Sequence, residues 1–557
     1  FFLTLCLTTI IILYLFLKKK YSYWEKRGIK GPKPIWFFGN TFNEAFGDLN
    51  EKEKEYLKKY GHCFGTYRGV QPVLNISRQE DIKQVMNDSN VFYSIGSFEF
   101  FDNYFSQSIL FKNGKDWING RKAQTHFFTG NKIKSLFNHF ESSINNFLEN
   151  VNFVQNKEKT ESIDFKKLTA YMGIDVISKL LFSISVNSFK ERESTFVKNS
   201  LKIISFDNIL SILANLLPKE VVHYLKFNGT NIKVINKVGD MFKKMVDSRE
   251  KNKETYNDLI ALIKEMNIKK DLGLTENEII GNGMIGYFAG VNFLSDSLSA
   301  VMYQLIHNPE EKQKLIKEIE KEFSDEITYE KLVDNSLLEA VINESLRLIP
   351  STRVFSRTAM VNTEINGIKI EKGTEVKAIN WITQNSEEYF PNPKKFDPSR
   401  FTDKSPSNPN VINGSTYLPF GDGPKQCIGK RFSLFFMKYF LAKFFLEYDV
   451  YKPNDYKKDM FLSREFQTFN SFVIEVVQTV TTEFDYPSEN IDEYVVTWNS
   501  ASNKKLVVLF LTQGEGSSMI GYAAKDINPI KLDKGESGTL YKYSKVDQSD
   551  FLKTKFL

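Results

Sequence analysis

The chain has 557 residues, 41% of them hydrophobic and 25% charged, ordinary proportions for a folded protein long enough to bury a large core. A formal charge of +6, with no basic stripe interleaved with aromatics, argues against a nucleic-acid partner. Cys6, Cys63 and Cys427 are too few and too scattered for a disulfide framework, and the five histidines show no metal-ligand spacing.

Residues 1–17 are apolar and uncharged, and Lys18, Lys19 and Lys20 follow. This pattern predicts a membrane-spanning anchor over residues 1–20, with the body on the cytosolic side. Residues 21–35 carry Gly28, Gly31, Pro32 and Pro34 and read as a stiff linker. A charged helical run, EKEKEYLKKYG, precedes two β-like pieces, CFGTYRG and PVLNISR, and the helical DIKQVM comes next. Trp117 and Arg121 lie four apart, on one helix face. Residues 130–270 read as helices with polar connections and carry no legible chemistry.

Thr275 and Glu278 form a capping box that opens a long helix through Ala289, Gly290, Asn292 and Phe293, ending at Asn308-Pro309. Glu344 and Arg347 are three apart and share a face of a helix that Pro350 ends. Asn366-Gly367 and Lys372-Gly373 mark turns in a β-like segment. Arg400 lies in FPNPKKFDPSRF. Then comes the stretch around which the chain is organised, LPFGDGPKQCIGKRF, from Leu418 to Phe432. Phe432, Phe435, Phe436, Tyr439 and Phe440 follow at helical spacing, so Cys427 sits where a glycine-rich loop enters a helix N-terminus. Free amides and the positive dipole end stabilise a thiolate there. Beyond residue 478, VVTW, LVVLFL and TLYKYSK are strand-like.

The spacing F-x-x-G-x-x-x-C-x-G is met by Phe420, Gly423, Cys427 and Gly429. It resembles the haem-binding loop of the cytochrome P-450 superfamily, the haem-thiolate monooxygenases, and the resemblance covers roughly residues 25–478. It implies a mainly α fold with small β-sheets, an N-terminal transmembrane helix, a haem-thiolate catalytic domain over 36–478 and an extra C-terminal segment over 479–557. The implied cofactor is haem, its iron held by the axial thiolate of Cys427, which favours O–O cleavage. By the same resemblance Trp117, Arg121, Arg357 and Lys425 contact the haem, several of them at its propionates. Lys425 stands where the family usually has Arg, which keeps the charge but loses the bidentate fork. Glu344, Arg347 and Arg400 match a structural network that locks the segment presenting the Cys loop. Ser399 replaces a more usual glutamate.

The implied activity is oxidation of a lipophilic small molecule with O2 in the endoplasmic reticulum membrane. Electrons would come from an NADPH-dependent flavin reductase, with a cytochrome b-type protein as a second donor, and Lys122, Lys425, Lys430, Arg431 and Lys438 are candidates for the docking face. Val186–Ile204 and the Pro218 region look like the substrate-roof helices of microsomal animal members that oxidise drugs and steroids. Ala289-Gly290 resembles the family's segment over the haem, but the acid and threonine that normally follow are replaced by Asn292 and Phe293. Either another relay delivers protons, or oxygen chemistry here is poorly coupled. Two rival activities stand beside the first: a haem-thiolate isomerase or dehydratase acting on a hydroperoxide, and a haem-binding carrier without turnover.

Overall fold

The computed structural model describes residues 2–41, 49–94, 104–158, 162–204, 232–252, 256–402, 416–453, 456, 459–462, 467–478 and the strands between 493 and 541. The Pro218 region lies outside these. The chain divides into two units. The first comprises residues 1–153, 162–446 and 450–475, and it holds every candidate site residue.

The chain opens with α1 (Phe2–Tyr21), whose last turn contains Lys18, Lys19 and Lys20. Ile10, Ile11, Ile12, Leu15 and Phe16 are exposed on it, and Tyr14 stacks on Trp36 at 5.1 Å. Among the described residues no helix is long and apolar enough to cross a membrane, so the expected spanning segment is not established by the fold. The three lysines fall inside the helix and shorten its apolar length. The expected linker is partly docked. Trp24 is buried, and its Nε1 donates to the Thr66 carbonyl at 2.9 Å.

The main sheet of this unit uses β1 (Cys63–Arg68), β2 (Gln71–Ile76), β3 (Phe92–Ser94), β4 (Phe355–Ala359) and β5 (Glu375–Ala378). Its order is β1-β2-β5-β4-β3. The two expected β-like pieces, β1 and β2, pair antiparallel, while β2 and β5 run parallel, Val73 opposite Glu375 and Ile76 opposite Ala378. Asn366 and Gly367 both take positive φ, 47° and 80°, in a tight hairpin pairing Ile365 with Ile368. Few residues but Asn and Gly accept that backbone.

The helices that position the site are α2 (Gly114–Thr125), α3 (Phe165–Phe182), α4 (Glu276–His307), α5 (Ser336–Leu348) and α6 (Lys430–Glu447). The capping box at the start of α4 is present on both sides: Glu278 N donates to Thr275 Oγ1, and Thr275 N donates to Glu278 Oε2. Glycines let α3 and α4 approach closely. A Cβ on Gly290 would meet Ile177 Cδ1 at 2.8 Å. α6 buries the predicted stripe Phe432, Phe435, Phe436, Tyr439 and Phe440. Phe140 packs its ring within 5.5–6.1 Å of Phe432, Phe435 and Phe436, and each such pair adds about 0.5–1.5 kcal/mol beyond burial.

The second unit carries an antiparallel five-stranded sheet formed by Glu493–Asn499, Lys505–Leu511, Ser518–Ala523, Lys531–Gly535 and Gly538–Tyr541.

Candidate functional site

The Cys loop is a sequence of tight turns closed by its own backbone. Cys427 N donates to the Phe420 carbonyl at 2.9 Å, and Gln426 N donates to the Gly423 carbonyl at 3.0 Å. Gly423 has φ +69°, and a Cβ there would lie 2.2 Å from the Met86 carbonyl oxygen. No other residue fits without moving backbone. α6 begins at Lys430, and the Gly429 and Lys430 amides point at the Cys427 sulfur. Burial pushes the Cys427 thiol up, while those amides and the charges of Arg121 and Lys430 work in the opposite direction. The sulfur lies deep in the protein, yet Cys427 keeps accessible surface. That accessible surface leaves room for a ligand against the cysteine.

Positive groups gather around this loop. Arg121, on α2, is mostly buried and its charge acts on Cys427; burial lowers its pKa. Lys425 Nζ lies 5.4 Å from the centre of the Trp117 ring and donates to the Lys112 carbonyl and to Asn113 Oδ1, both at 3.3 Å. Burial lowers Lys425 to about 7, and the neighbouring charge of Arg357 adds to the effect. Arg357, on β4, is buried, donates to the Ser356 carbonyl at 3.0 Å, and has no carboxylate partner among the described residues. Burial alone holds it down to about 10. An uncompensated buried guanidinium is costly. A buried guanidinium and a half-buried lysine whose charges interact, beside a cysteine with accessible surface, suit a flat ligand with carboxylate arms. The residues present therefore fit haem, whose propionates would offset Arg357 and Lys425.

The expected structural network is assembled. Glu344 and Arg347, on α5, are each 0% exposed, and Arg400 is also buried. Arg347 grips Glu344 with two bonds, Nε to Oε2 at 2.7 Å and Nη2 to Oε1 at 2.8 Å. Arg400 Nε lies 3.4 Å from Glu344 Oε1, and Asp397 N donates to the same oxygen at 2.9 Å. Burial raises the Glu344 carboxyl, against the pull of Arg347. Ser399 donates its hydroxyl to Asp397 Oδ1 at 2.6 Å, a local turn contact. One member escaped the sequence reading. Arg347 Nη1 donates to the Gln384 carbonyl at 2.8 Å, and Gln384 Oε1 accepts the amide of Leu418 at 2.9 Å, at the head of the Cys loop. Gln384 thus joins the ion network to the loop, through contacts spanning 34 and 37 residues that no local pattern announces.

On α4 the helix runs unbroken through Ala289, Gly290, Asn292 and Phe293. Ala289, Gly290 and Phe293 are half-buried, and Asn292 is buried with no hydrogen-bond partner for Nδ2. Phe293 packs edge-on to Phe288 at 6.2 Å, and Phe288 meets Phe105 at 5.5 Å, an aromatic run. The expected basic face is smaller than the sequence suggested. Lys122, Lys430 and Arg431 are exposed, but Lys425 turns inward, as does Lys438, which donates to the Val333 carbonyl and to Glu339.

Comparison with known proteins agrees with this geometry. The family model described as Cytochrome P450 matches residues 29–472. The chain is 29% identical over 474 residues to Cytochrome P450 3A40 of Oryzias latipes, covering 79% of this chain and 90% of that one. It is 30% identical over 500 residues to Cytochrome P450 3A16 of Mus musculus, covering 86% and 98%. A third relative, Cytochrome P450 3A18 of Rattus norvegicus, is 31% identical over 452 residues, covering 77% and 88%. A cysteine loop at a helix N-terminus, inward-turned cations suited to propionates and a family match across most of the sequence lead to one conclusion: the chain belongs to the cytochrome P450 family, the haem-thiolate monooxygenases.

Proposed function

We propose that the protein oxidises a lipophilic small molecule, with Cys427 as the axial ligand and electrons from an NADPH-dependent flavin reductase. The observation that carries this is Cys427, with accessible surface at the start of a helix, accompanied by the buried guanidinium of Arg357 and the half-buried Lys425. Haem, when bound, supplies the oxygen activation. The chain's own residues bind and orient it. The Gly429 and Lys430 amides hold the sulfur, Trp117 and Asn113 hold Lys425, and β4 presents Arg357. Phe105, Phe288 and Phe293 supply apolar surface suited to a lipophilic substrate and exclude water. Purified protein with the reductase, NADPH and a panel of lipophilic compounds should give oxygenated products. Hydroperoxide rearrangement without reductase, and no NADPH-dependent product, would replace this reading with the isomerase.

The division into an anchor over 1–20, a linker over 21–35, a catalytic domain over 36–478 and an added segment over 479–557 belongs to the same reading. So does localisation in the endoplasmic reticulum with a cytosolic body, supported by the exposed apolar side chains of α1 and the lysines that end it. Protease added to sealed microsomes should digest the body, and full protection would place it in the lumen. Lys122, Lys430 and Arg431 remain as the exposed basic patch for an acidic donor.

Arg357 yields a prediction with two opposite signs. Arg357→Met removes an uncompensated buried charge, so haem-free protein should melt higher. The same change removes a charge-assisted bond to a propionate, worth about 1.5–3 kcal/mol. Haem should then be lost roughly tenfold to a hundredfold faster in transfer to apomyoglobin. Unchanged haem retention would mean that Arg357 does not face the cofactor.

A further inference from the structure

The carboxylate missing at position 292 has a neighbour one helical turn away. Asp296 follows Asn292 at i+4 and Ala289 at i+7, so all three lie toward one side of α4. Asn292 is 1% exposed and Asp296 2%. Lys166 reaches across from α3. Its Nζ lies 2.6 Å from Asp296 Oδ1 and 3.5 Å from the Asn292 carbonyl oxygen, so one ammonium touches both residues. Its backbone is fixed as well: Ser295 Oγ donates to the Lys166 carbonyl at 3.0 Å and pairs with Thr169 Oγ1 at 2.8 Å. The Asn292 Nδ2 is buried and has no acceptor among the described residues.

Stability does not explain the arrangement. A buried ion pair rarely does better than apolar side chains of the same size, because desolvation offsets the attraction. Elsewhere α3 and α4 pack Gly173 against Val291 and Gly290 against Ile177, apolar contacts that need no charge. The position of the pair does suggest a use. It places a carboxylate and its counter-ion within one helical turn of Asn292, whose side-chain Nδ2 is buried without a partner.

We propose that Asp296, held by Lys166, acts as the carboxylate that serves the site in place of the acid absent at 292, working through Asn292. Asp296 and Lys166 are positioning residues. The pair fixes the Asn292 backbone and leaves its amide to orient a water toward the site. The inference rests on the haem-thiolate reading above.

The test uses the full chain, loaded with haem and reconstituted with reductase, and follows NADPH oxidation in air, which requires no identified substrate. Asp296→Asn should slow it at least tenfold and raise its solvent deuterium isotope effect, because the water that Asn292 orients for proton delivery is no longer held in place. Asn292→Asp in the Asp296→Asn background should recover most of the rate. Lys166→Met with Asp296→Asn removes both charges together and keeps the test valid if the single change misfolds. A readout without turnover is the infrared stretch of carbon monoxide on the reduced haem, which should shift in the double variant. A normal thiolate Soret band with unchanged NADPH oxidation and an unmoved stretch in the double variant overturns this inference alone. Absence of the thiolate band in the unaltered protein overturns the haem-thiolate reading and this inference with it.

Discussion

Reduced Cys427→Ala protein exposed to carbon monoxide should lack the far-red-shifted Soret band that the unaltered protein gives. The band reports thiolate ligation of the haem iron, and Cys427 is the thiol that would supply it. Its amide is tied to Phe420 at 2.9 Å, and its sulfur meets the Gly429 and Lys430 amides at the start of α6. Those amides stabilise negative charge on sulfur, as unsatisfied N–H groups at a helix N-terminus do. Cys63 is no substitute. It sits on β1 against the Trp24 and Ile76 cluster, and burial pushes its thiol up to about 12. Cys63→Ala should therefore leave the band intact. Survival of the band in Cys427→Ala, or its loss in Cys63→Ala, would contradict the assignment.

The parts of this site that the sequence made legible are those written in short-range spacing. The Cys loop lies within a few residues of its own partners, and its glycines are demanded by positive φ at Gly421 and Gly423. The capping box of α4, the Asn366-Gly367 hairpin and the Glu344–Arg347 pair are also local. Lys166 and Asp296 lie 130 residues apart, and Asp296 stands among serines without a motif. Gln384 is equally unmarked, because a glutamine bridging two backbone segments has no spacing of its own. The basic patch was overestimated for the complementary reason. Lys438 lies on the buried face of α6, among Phe435, Tyr439 and Phe440, and its long stem carries the charge to Glu339 at 3.0 Å. Charge counted along a sequence does not show which lysines turn inward.

Glu344→Ala should give protein that is haem-free or aggregated, although Glu344 is given no role in the chemistry. The carboxylate is 0% exposed and compensates two buried arginines. Removing it leaves Arg347 and Arg400 without a counter-charge, a loss of about 3–5 kcal/mol. A domain's net stability is about 5–15 kcal/mol, so one substitution consumes a large share. The damage should also be directed. Arg347 holds the Gln384 carbonyl, and Gln384 holds Leu418 where the Cys loop begins. An Arg347 released from Glu344 loses its orientation, and the loop loses its tether before the rest of the fold melts. Glu344→Gln separates the two effects. It keeps one acceptor oxygen for Arg347 Nη2 and the Asp397 amide but removes the charge and sets an amide NH2 against Arg347 Nε, so it should fold with reduced haem content and a lower melting temperature. Replacing Glu344, Arg347 and Arg400 together by Leu removes every charge at once and should recover stability relative to Glu344→Ala, because no charge is left unpaired. It should not recover haem retention, because the path from Arg347 through Gln384 to Leu418 is gone. Thermal unfolding and the haem-to-protein absorbance ratio measure the two outcomes separately. A Glu344→Ala holoprotein of ordinary stability would show that the network does not hold the loop.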